Sequence, residues 1–443
     1  MTIELSPVSL DLLEEPTKEK IKVLVLSDHP FSPSGVGTQT NYMISALLKT
    51  GKFSFVCLGG AVKHNDYSPV QTEQWGNDLT IFPVDGYGSQ EMVRNILRRD
   101  RPDIIWIMTD PRFWGWLWQM EDEIRSNVPI VYYHVWDNYP YPKFNKTYYE
   151  CNDFIACISK LTHDVVQNVA PGIPNEYVPH AVEPNVFSKH SDEEILKFKK
   201  EHFSNMCDWE KEDKFVFFWN NRNARRKMSG SVIYWFKEFL DEVGHDKASL
   251  IMHTDPKDTH GQDLEAIAIE LGLIGGQVIF STSKQTSETL AKLYNIADCT
   301  INISDAEGFG LATLESLACG TPIIVNMTGG LQEQVTDGKE WFGIGLQPSS
   351  KAVIGSQPVP YIYEDRVSKE DYINALKQMI NMSKEEREEL GRKGMKHIEK
   401  NYNFDTFEKQ WVDIMTNIHE NCGSWNSRKK YKAWQIAEIN NEN

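Results

Sequence analysis

Short apolar segments alternate with amphipathic stretches along most of the chain. The first, at residues 21–27, reads IKVLVLS, which is typical of a strand buried on both faces of a parallel sheet. A turn-rich loop follows at 31–37, and residues 38–49 have the spacing of a helix. The same rhythm predicts further elements in the first half, with strands at 53–58, 103–108, 129–134, 154–159 and 175–179 and helices at 92–98 and 160–169.

The alternation begins again after a polar stretch, 183–214, which we interpret as a linker containing a helix. Strands alternating with helices indicate a parallel sheet with helices on both faces. The pattern therefore predicts an α/β chain of two Rossmann-like, doubly wound domains that face a central cleft, where the strands' carboxyl ends bind ligands. The second array has predicted strands at 215–220, 249–253, 277–281, 299–304 and 322–325 and helices at 231–243, 264–271, 287–296 and 311–319.

The length of 443 residues also favours two domains of roughly 200 residues each. We expect residues 1–20 to be a flexible lead-in, because they are acidic and lack an apolar core. The first domain is predicted at 21–190 and the second at 191–410. A helical tail at 411–443 is expected to pack back on the first domain.

The charge balance changes which partners are plausible. With 46 basic and 63 acidic residues the net charge is −17, so the chain has no overall attraction to nucleic acid or to anionic lipid. Nucleic acid is therefore an unlikely partner, and membrane contact is at most peripheral. Seven cysteines without CxxC pairs indicate reduced thiols, and no apolar run reaches the roughly 20 residues of a membrane span. These features predict a cytoplasmic protein.

The strongest local signal lies at residues 304–322, which read SDAEGFGLATLESLACGTP. A strand ends here, a glycine-containing loop follows, and a helix begins near Leu311. Free amides at a helix start suit an anionic group. Glu307 and Glu315 stand eight residues apart, a spacing that places two side chains on one side of a continuous helix. A pair of carboxylates facing a cleft is suited to accepting hydrogen bonds from sugar hydroxyls.

This block resembles the E-x7-E motif of the retaining glycosyltransferases of family 4, which have the GT-B fold. The similarity includes the glycines around Phe309, the continuation ESLACGTP and Gly329-Gly330 before another helix, and extends from about Ile21 to Val412. The resemblance implies transfer of a sugar from a nucleotide-diphosphate sugar with retention of configuration and without a metal or other cofactor. It implies a catalytic Glu307 in contact with the donor sugar, a ribose-binding Glu315, and donor contacts from Gly308, Phe309, Gly310 and Leu311.

The resemblance assigns further residues to the donor and to the reaction. Ser34-Gly35-Val36-Gly37 is similar to the family's glycine loop, although Val36 separates Gly35 from Gly37, and both glycines are expected to meet the donor phosphate. Within NNRNARRK, at 220–227, Arg222 and Lys227 match the family's diphosphate-binding cations best, while Arg225 and Arg226 complicate the assignment. Cations at this place assist departure of the diphosphate.

His134 ends a predicted strand, where the family has a histidine near the transferred sugar, and the resemblance makes it a catalytic residue. Asp137 follows and would orient His134 or meet the acceptor. Asp28 and His29 also follow a strand end and are further candidates. The tryptophan-rich segment 112–120 is interpreted as a helix packed into the first domain, with a sugar-stacking platform or a membrane-docking helix as alternatives.

Three other functions stay open at this point. One is a nucleotide-sugar epimerase with the same fold, another is a nucleotide-sugar-binding module without turnover, and the third is a transferase acting on nucleic acid, which the net charge disfavours. The acceptor is a glycan, a lipid-linked sugar or a small molecule. The sequence does not reveal the donor sugar, its base, the linkage or the oligomeric state.

Overall fold

The computed structural model describes residues 20–204 and 214–433. All but the last residue of the predicted lead-in, and the end of the chain from residue 434, lie outside the described residues. Two parallel sheets organise the chain, one in each half, and a separate two-stranded hairpin joins them.

Seven parallel strands form the first sheet, in the order β3-β2-β1-β4-β5-β6-β7. Residues 23–26 of β1 are buried, as expected for a strand covered by helices on both faces. The short edge strand β3 was not predicted, because its five residues end in proline and follow a polar segment. The strands are β1 (Ile21–Asp28), β2 (Phe53–Gly60), β3 (Leu79–Pro83), β4 (Ile104–Met108), β5 (Ile130–His134), β6 (Phe154–Cys157) and β7 (Asn175–Tyr177).

The longer helices of the first half begin at serine caps that the sequence shows. Ser159 caps α6 by accepting from the Thr162 amide, and Ser191 forms a capping box with Glu194 at the start of α7, inside the predicted linker. The helices are α1 (Gly35–Lys49), α2 (Gln90–Arg99), α3 (Gly115–Trp118), α4 (Glu121–Arg125), α5 (Lys146–Glu150), α6 (Lys160–Val169) and α7 (Asp192–His202), with 3-10 turns at Gly76–Asp78, Pro111–Trp114 and Lys143–Asn145.

Six parallel strands form the second sheet, in the order β10-β9-β8-β11-β12-β13. The predicted α/β architecture of two doubly wound domains is confirmed. The strands are β8 (Phe215–Asn220), β9 (Ala248–His253), β10 (Val278–Ser281), β11 (Cys299–Asn302), β12 (Ile323–Asn326) and β13 (Gly343–Leu346). The helices are α8 (Ser229–Val243), α9 (Leu264–Glu270), α10 (Ser287–Ile296), α11 (Leu311–Ala318) and α12 (Leu331–Val335), with a 3-10 turn at Arg225–Lys227.

An antiparallel hairpin, β14 (Ser350–Ser356) and β15 (Val359–Arg366), leaves the second domain after β13. It was not predicted from the sequence. The Tyr363 amide donates to the Tyr139 carbonyl oxygen at 2.5 Å, and the Asn138 side-chain amide donates to the Tyr363 carbonyl oxygen at 2.7 Å. Val359 is only 3% exposed and belongs to the apolar core of the first domain. The hairpin therefore connects the two domains.

Three helices end the described chain: α13 (Lys369–Asn381), α14 (Lys384–Asn401) and α15 (Phe404–Cys422), followed by a 3-10 turn at Trp425–Ser427. Helix α15 lies on the first domain, where the ring of buried Trp411 contacts the rings of Trp106 and Tyr133 with centroids 5.7 and 4.9 Å apart. Helix α15 begins at Phe404, whose ring meets that of Tyr42 on α1. The chain thus reaches the first domain at Phe404, ahead of the boundary that we placed after residue 410.

Candidate active site

The loop between β11 and α11 brings a carboxylate to the carboxyl edge of the second sheet. Gly310 stands at the N-cap of α11 with φ +94°, a conformation that glycine adopts without strain, and makes no side-chain cap. The amides of the first helical turn are therefore directed into the space beside the loop. Glu307 lies in this loop, and its carbonyl oxygen accepts from the Gly330 amide at 3.0 Å.

Two cations hold the side chain of Glu307. Lys227 forms an ion pair with Oε2 of Glu307, and the Arg226 guanidinium lies 3.6 Å from the same oxygen. Arg226 also donates to the Ala306 carbonyl oxygen at 2.6 Å. Burial alone would raise the pKa of Glu307, but the charges of Lys227 and Arg226 outweigh it and leave this pKa below its ordinary value. Glu307 is consequently a carboxylate at neutral pH.

Arg222 does not join this group, in contrast to the prediction. Its side chain is 61% exposed and pairs with Asp258, Nε to Oδ2 at 2.6 Å, and with the ring of His260 at 2.8 Å. The 3-10 turn at Arg225–Lys227 directs Arg226 and Lys227 inward, whereas Arg222 directly follows the end of β8. The structure thus brings together Arg226 and Lys227, where the family resemblance favoured Arg222 and Lys227.

Glu315 lies on α11, but Glu307 precedes the helix, so the argument of one continuous helical face is wrong for this pair. The Tyr294 hydroxyl donates to Oε2 of Glu315 at 2.7 Å and accepts from the Asn220 side-chain amide at 2.8 Å. Burial raises the pKa of Glu315 to about 7. The two glutamates therefore occupy different electrostatic surroundings, one paired with cations and one in a chain of neutral groups.

Gly35 and Gly37 belong to helix α1 and not to the loop before it, which corrects the predicted start of this helix at residue 38. The Ser34 hydroxyl caps the helix by accepting from the Gly37 amide at 2.9 Å, so that amide is already engaged. A Cβ on Gly37 would lie 2.3 Å from Oγ of Ser32, and one on Gly35 would lie 2.8 Å from Cδ1 of Leu311. Gly35 thus permits the start of α1 to approach the start of α11 across the cleft.

His134 is buried inside the first domain and does not line the cleft. Its Nε2 is 2.7 Å from the Tyr149 hydroxyl, and its ring meets the rings of Tyr132 and Tyr149 edge-on. Burial lowers its pKa to about 3, so the imidazole is neutral. The His134 side chain is enclosed because every residue of β5 is buried. The catalytic role assigned to His134 stays a prediction.

Asp137, three residues further on, reaches the cleft. Its Oδ2 lies 4.0 Å from the Arg226 guanidinium, and a Cβ on Gly308 would lie 3.6 Å from its own Cβ. Burial raises the pKa of Asp137, and Arg226 acts in the opposite direction. Asp137 therefore faces the loop of Glu307 from the first domain.

Phe309 is buried and packs away from the solvent-filled part of the cleft. Its ring meets the rings of His180 and Tyr402 with centroids 4.8 and 5.8 Å apart. The side chain of Phe309 therefore has a packing role, and its predicted donor contact stays a prediction for the loop that carries it. The Gln334 side chain donates to the Phe309 carbonyl oxygen at 2.8 Å and fixes the loop.

A network that sequence reasoning missed supports the cationic loop. The Arg225 guanidinium donates to both oxygens of Glu364 on β15, at 2.8 and 2.5 Å, and Arg366 lies 2.8 Å from Asp305. The Asp365 amide donates to the Asp305 carbonyl oxygen at 2.8 Å. The sequence analysis did not predict the hairpin that carries Glu364, Asp365 and Arg366, and nothing in its pattern shows which loop it meets.

Within residues 20–204 and 214–433, no group of three or more His, Cys, Asp or Glu side chains is arranged to hold a metal ion. No helix in these ranges combines the length and the apolar character of a membrane crossing.

The tryptophan-rich segment is a 3-10 turn and one helical turn, with Trp114, Leu117 and Trp118 buried, so the packing interpretation is confirmed for these three residues.

Part of the chain is similar to a known protein family. Residues 211–397 match the family described as "Glycosyl transferases group 1". The second domain of the chain carries this match. The family segment includes the cationic loop, Glu307, Glu315 and Gly329-Gly330, so the residues that form the candidate site of the second domain all lie within it.

Curated relatives match over short segments. The chain is 40% identical over 83 residues to a D-inositol 3-phosphate glycosyltransferase of Acidothermus cellulolyticus, covering 19% of this chain and 18% of that protein. It is 42% identical over 74 residues to the protein of the same name from Mycobacteroides abscessus, covering 17% and 16%. The chain thus spans about a fifth of the length of these relatives.

Solved structures match over nearly the whole chain. Sucrose-phosphate synthase from Thermosynechococcus elongatus has a TM-score of 0.70 at 15% identity, with 91% of this chain and 100% of that chain covered. The Anabaena protein HepE, solved with UDP and glucose, has a TM-score of 0.64 at 14% identity, with 90% and 100% covered. Identities this low show the fold alone, and the predicted GT-B fold is confirmed.

Proposed function

We propose that the chain is a glycosyltransferase that moves a sugar from a nucleotide-diphosphate sugar to an acceptor hydroxyl, with retention of configuration and without a metal ion. The observation that carries this proposal is the group formed by Glu307, Lys227 and Arg226 beside the free N-terminus of α11. The family match of the second domain and the UDP bound by a protein of the same fold support it.

Each group has a distinct task in the proposed reaction. Lys227, Arg226 and the first amides of α11 neutralise the diphosphate, which lowers the barrier to its departure. Glu307 accepts hydrogen bonds from hydroxyls of the donor sugar, and Glu315 accepts them from the nucleotide ribose. The bond from the anomeric carbon to the phosphate oxygen breaks, and the bond to the acceptor oxygen forms on the same face. The leaving phosphate oxygen takes the acceptor's proton.

Donor identification and one substitution test this function. A thermal-shift screen of nucleotide sugars should find a donor that raises the unfolding temperature by mass action. With that donor, Glu307→Gln should lower the rate of sugar transfer by roughly 100-fold or more, because a neutral amide no longer accepts strongly from the sugar hydroxyls. The matched control is Glu399→Gln, an exposed glutamate of α14, which should transfer at the wild-type rate.

The same assay separates the other functions. Transfer by Glu307→Gln at the wild-type rate would refute the role of Glu307, and an inverted anomer by NMR would refute retention. Rapid epimerisation of the donor without acceptor would favour an epimerase, and donor binding without nucleotide release would favour a binding module. Activity that survives EDTA is expected, because Lys227 and Arg226 supply the positive charge.

We also propose a cytoplasmic location, on one structural observation. Every cysteine that the structure describes carries a free thiol, as expected in a reducing compartment. The partners proposed for the chain are the nucleotide-sugar donor and a sugar-type acceptor.

A further inference from the structure

The first domain presents one wall to the candidate site, built at the ends of three neighbouring strands. Strands β1, β4 and β5 are adjacent in the sheet, and Asp28, Asp110 and Asp137 stand at or just beyond their carboxyl ends. The Ser34 hydroxyl donates to Asp28 at 2.6 Å, and a Cβ added to the next residue, Gly35, would lie 2.8 Å from Leu311, so the Asp28 end of this wall lies beside α11. A Cβ added to Gly308 would lie 3.6 Å from the Cβ of Asp137, which places the other end beside the loop of Glu307. An acceptor that reaches the donor sugar must therefore lie against this wall.

Aromatic rings accompany the carboxylates. The Tyr87 hydroxyl donates to Oδ1 of Asp28 at 3.0 Å, and the ring of Tyr87 meets that of Phe113 with centroids 5.4 Å apart. Phe113 is 53% exposed, although its neighbour Trp114 is fully buried. An exposed aromatic ring beside fixed hydrogen-bonding groups is a combination that stacks on the apolar face of a sugar and binds its hydroxyls.

The charge of the wall selects among such ligands. Arg112 is the cation that follows β4, and its guanidinium donates to Asp110, at 2.8 Å from Nε and 2.5 Å from Nη2. Its guanidinium also lies 5.5 Å from the ring centroid of Trp136. Burial raises the pKa of Tyr87, and the charges of Asp28 and Asp110 raise it further. A phosphate on the acceptor would meet repulsion here.

We infer that the acceptor is a neutral saccharide or glycan and not a phosphorylated sugar, with Asp28, Asp110, Asp137 and the rings of Tyr87 and Phe113 as its binding wall. This inference rests on the proposed transferase function and adds the class of acceptor to it. Proteins to which the chain is similar carry a phosphorylated compound in their names, such as D-inositol 3-phosphate glycosyltransferase and sucrose-phosphate synthase. The acceptor proposed for this chain therefore differs from the phosphorylated compounds that those names contain.

Paired acceptors test the inference on the full-length protein. Nucleotide release from the donor found in the thermal-shift screen is measured with glucose against glucose 6-phosphate, fructose against fructose 6-phosphate, and myo-inositol against myo-inositol 3-phosphate. For at least one pair, the enzyme should accept the unphosphorylated sugar with a kcat/KM roughly tenfold or more above that for its phosphorylated partner. Equal responses in every pair, including none from either member, or preference for a phosphorylated member, would overturn the inference.

A substitution links the preference to the wall. Asp110→Asn keeps the cap that Asp110 provides to the amide of Arg112 but frees the guanidinium, so the preference for the neutral member should fall by roughly tenfold. Asp246→Asn, in an exposed loop before β9, is the matched control and should keep the wild-type preference. An unchanged preference in Asp110→Asn would also overturn the inference.

The two proposals fail in different ways. Donor binding and the effect of Glu307→Gln on slow donor hydrolysis are scored without any acceptor. If these fail, the transferase function falls and the acceptor inference falls with it. If they succeed while a phosphorylated acceptor is preferred, only the inference about the acceptor is wrong.

Discussion

At the scale of single residues, two arginines of one basic loop differ in what they touch. Arg226 lies beside Glu307 and Asp137, whereas the exposed Arg222 pairs with Asp258. We expect Arg226→Ala to lower kcat by roughly 100-fold or more, because a cation is lost from the site proposed to bind the leaving group. Arg222→Ala should change kcat by about twofold at most, since exposed pairs contribute little. Steady-state kinetics of nucleotide release distinguish the two, and equal losses would contradict the assignment.

Glu315 gives a prediction that depends on pH. Its pKa is about 7 in the folded protein against an ordinary value of 4.5, so between these values the folded protein keeps a proton that the unfolded chain releases. The free energy of unfolding therefore falls as pH rises through this window, and the loss persists above it. Glu315→Gln removes the ionisation and should raise the unfolding temperature at about pH 8 by roughly 2–8 °C, with little change near pH 4.5. A difference from wild type that is independent of pH would contradict this explanation.

At the scale of elements, the hairpin β14–β15 is the part that the sequence left out. Val359 is buried in the core of the first domain, while Val353 on the paired strand is 64% exposed. Val359→Asp places a charge in that core and should lower the unfolding temperature by roughly 5–15 °C, whereas Val353→Asp should change it by about 1–2 °C. Differential scanning fluorimetry and limited proteolysis of the hairpin provide the measurement. Similar behaviour of the two variants would show that the hairpin does not dock.

The comparison of sequence with structure shows where pattern reasoning succeeds. Buried parallel strands are nearly continuous apolar runs, so β8 has the predicted bounds. Helices α6 and α10, which were predicted from their helical spacing, also have the predicted bounds. The motif loop with Glu307 was located because its glycines and helix start are local features. The surroundings of His134 and Arg222 were not predicted, because the direction of a side chain depends on packing that a motif does not encode. The approach of Arg226 to Asp137 is a contact between domains, which no local pattern reveals.

At the scale of the whole molecule, α15 follows the second domain in the chain and packs on the first. It therefore joins the two domains in addition to the linker and the hairpin β14–β15. Trp411 is fully buried between Trp106 and Tyr133, and Tyr42 on α1 meets Phe404 with ring centroids 4.9 Å apart. Trp411→Ala leaves a cavity in this contact and should cost about 3–5 kcal/mol. Because the lost contacts belong to the first domain, its unfolding transition should move to lower temperature and separate from that of the second domain.

Calorimetry with and without donor checks this prediction. The second domain keeps Glu307, Lys227 and Arg226, so the Trp411→Ala protein should still bind the nucleotide of the donor below the first transition, while transfer to an acceptor is lost above it. Lys409→Ala, on the exposed side of α15, is the matched control and should melt like the wild type. A single transition at the wild-type temperature in Trp411→Ala would mean that α15 does not stabilise the first domain. Loss of nucleotide binding below the first transition would mean that the donor site needs both domains in their closed contact.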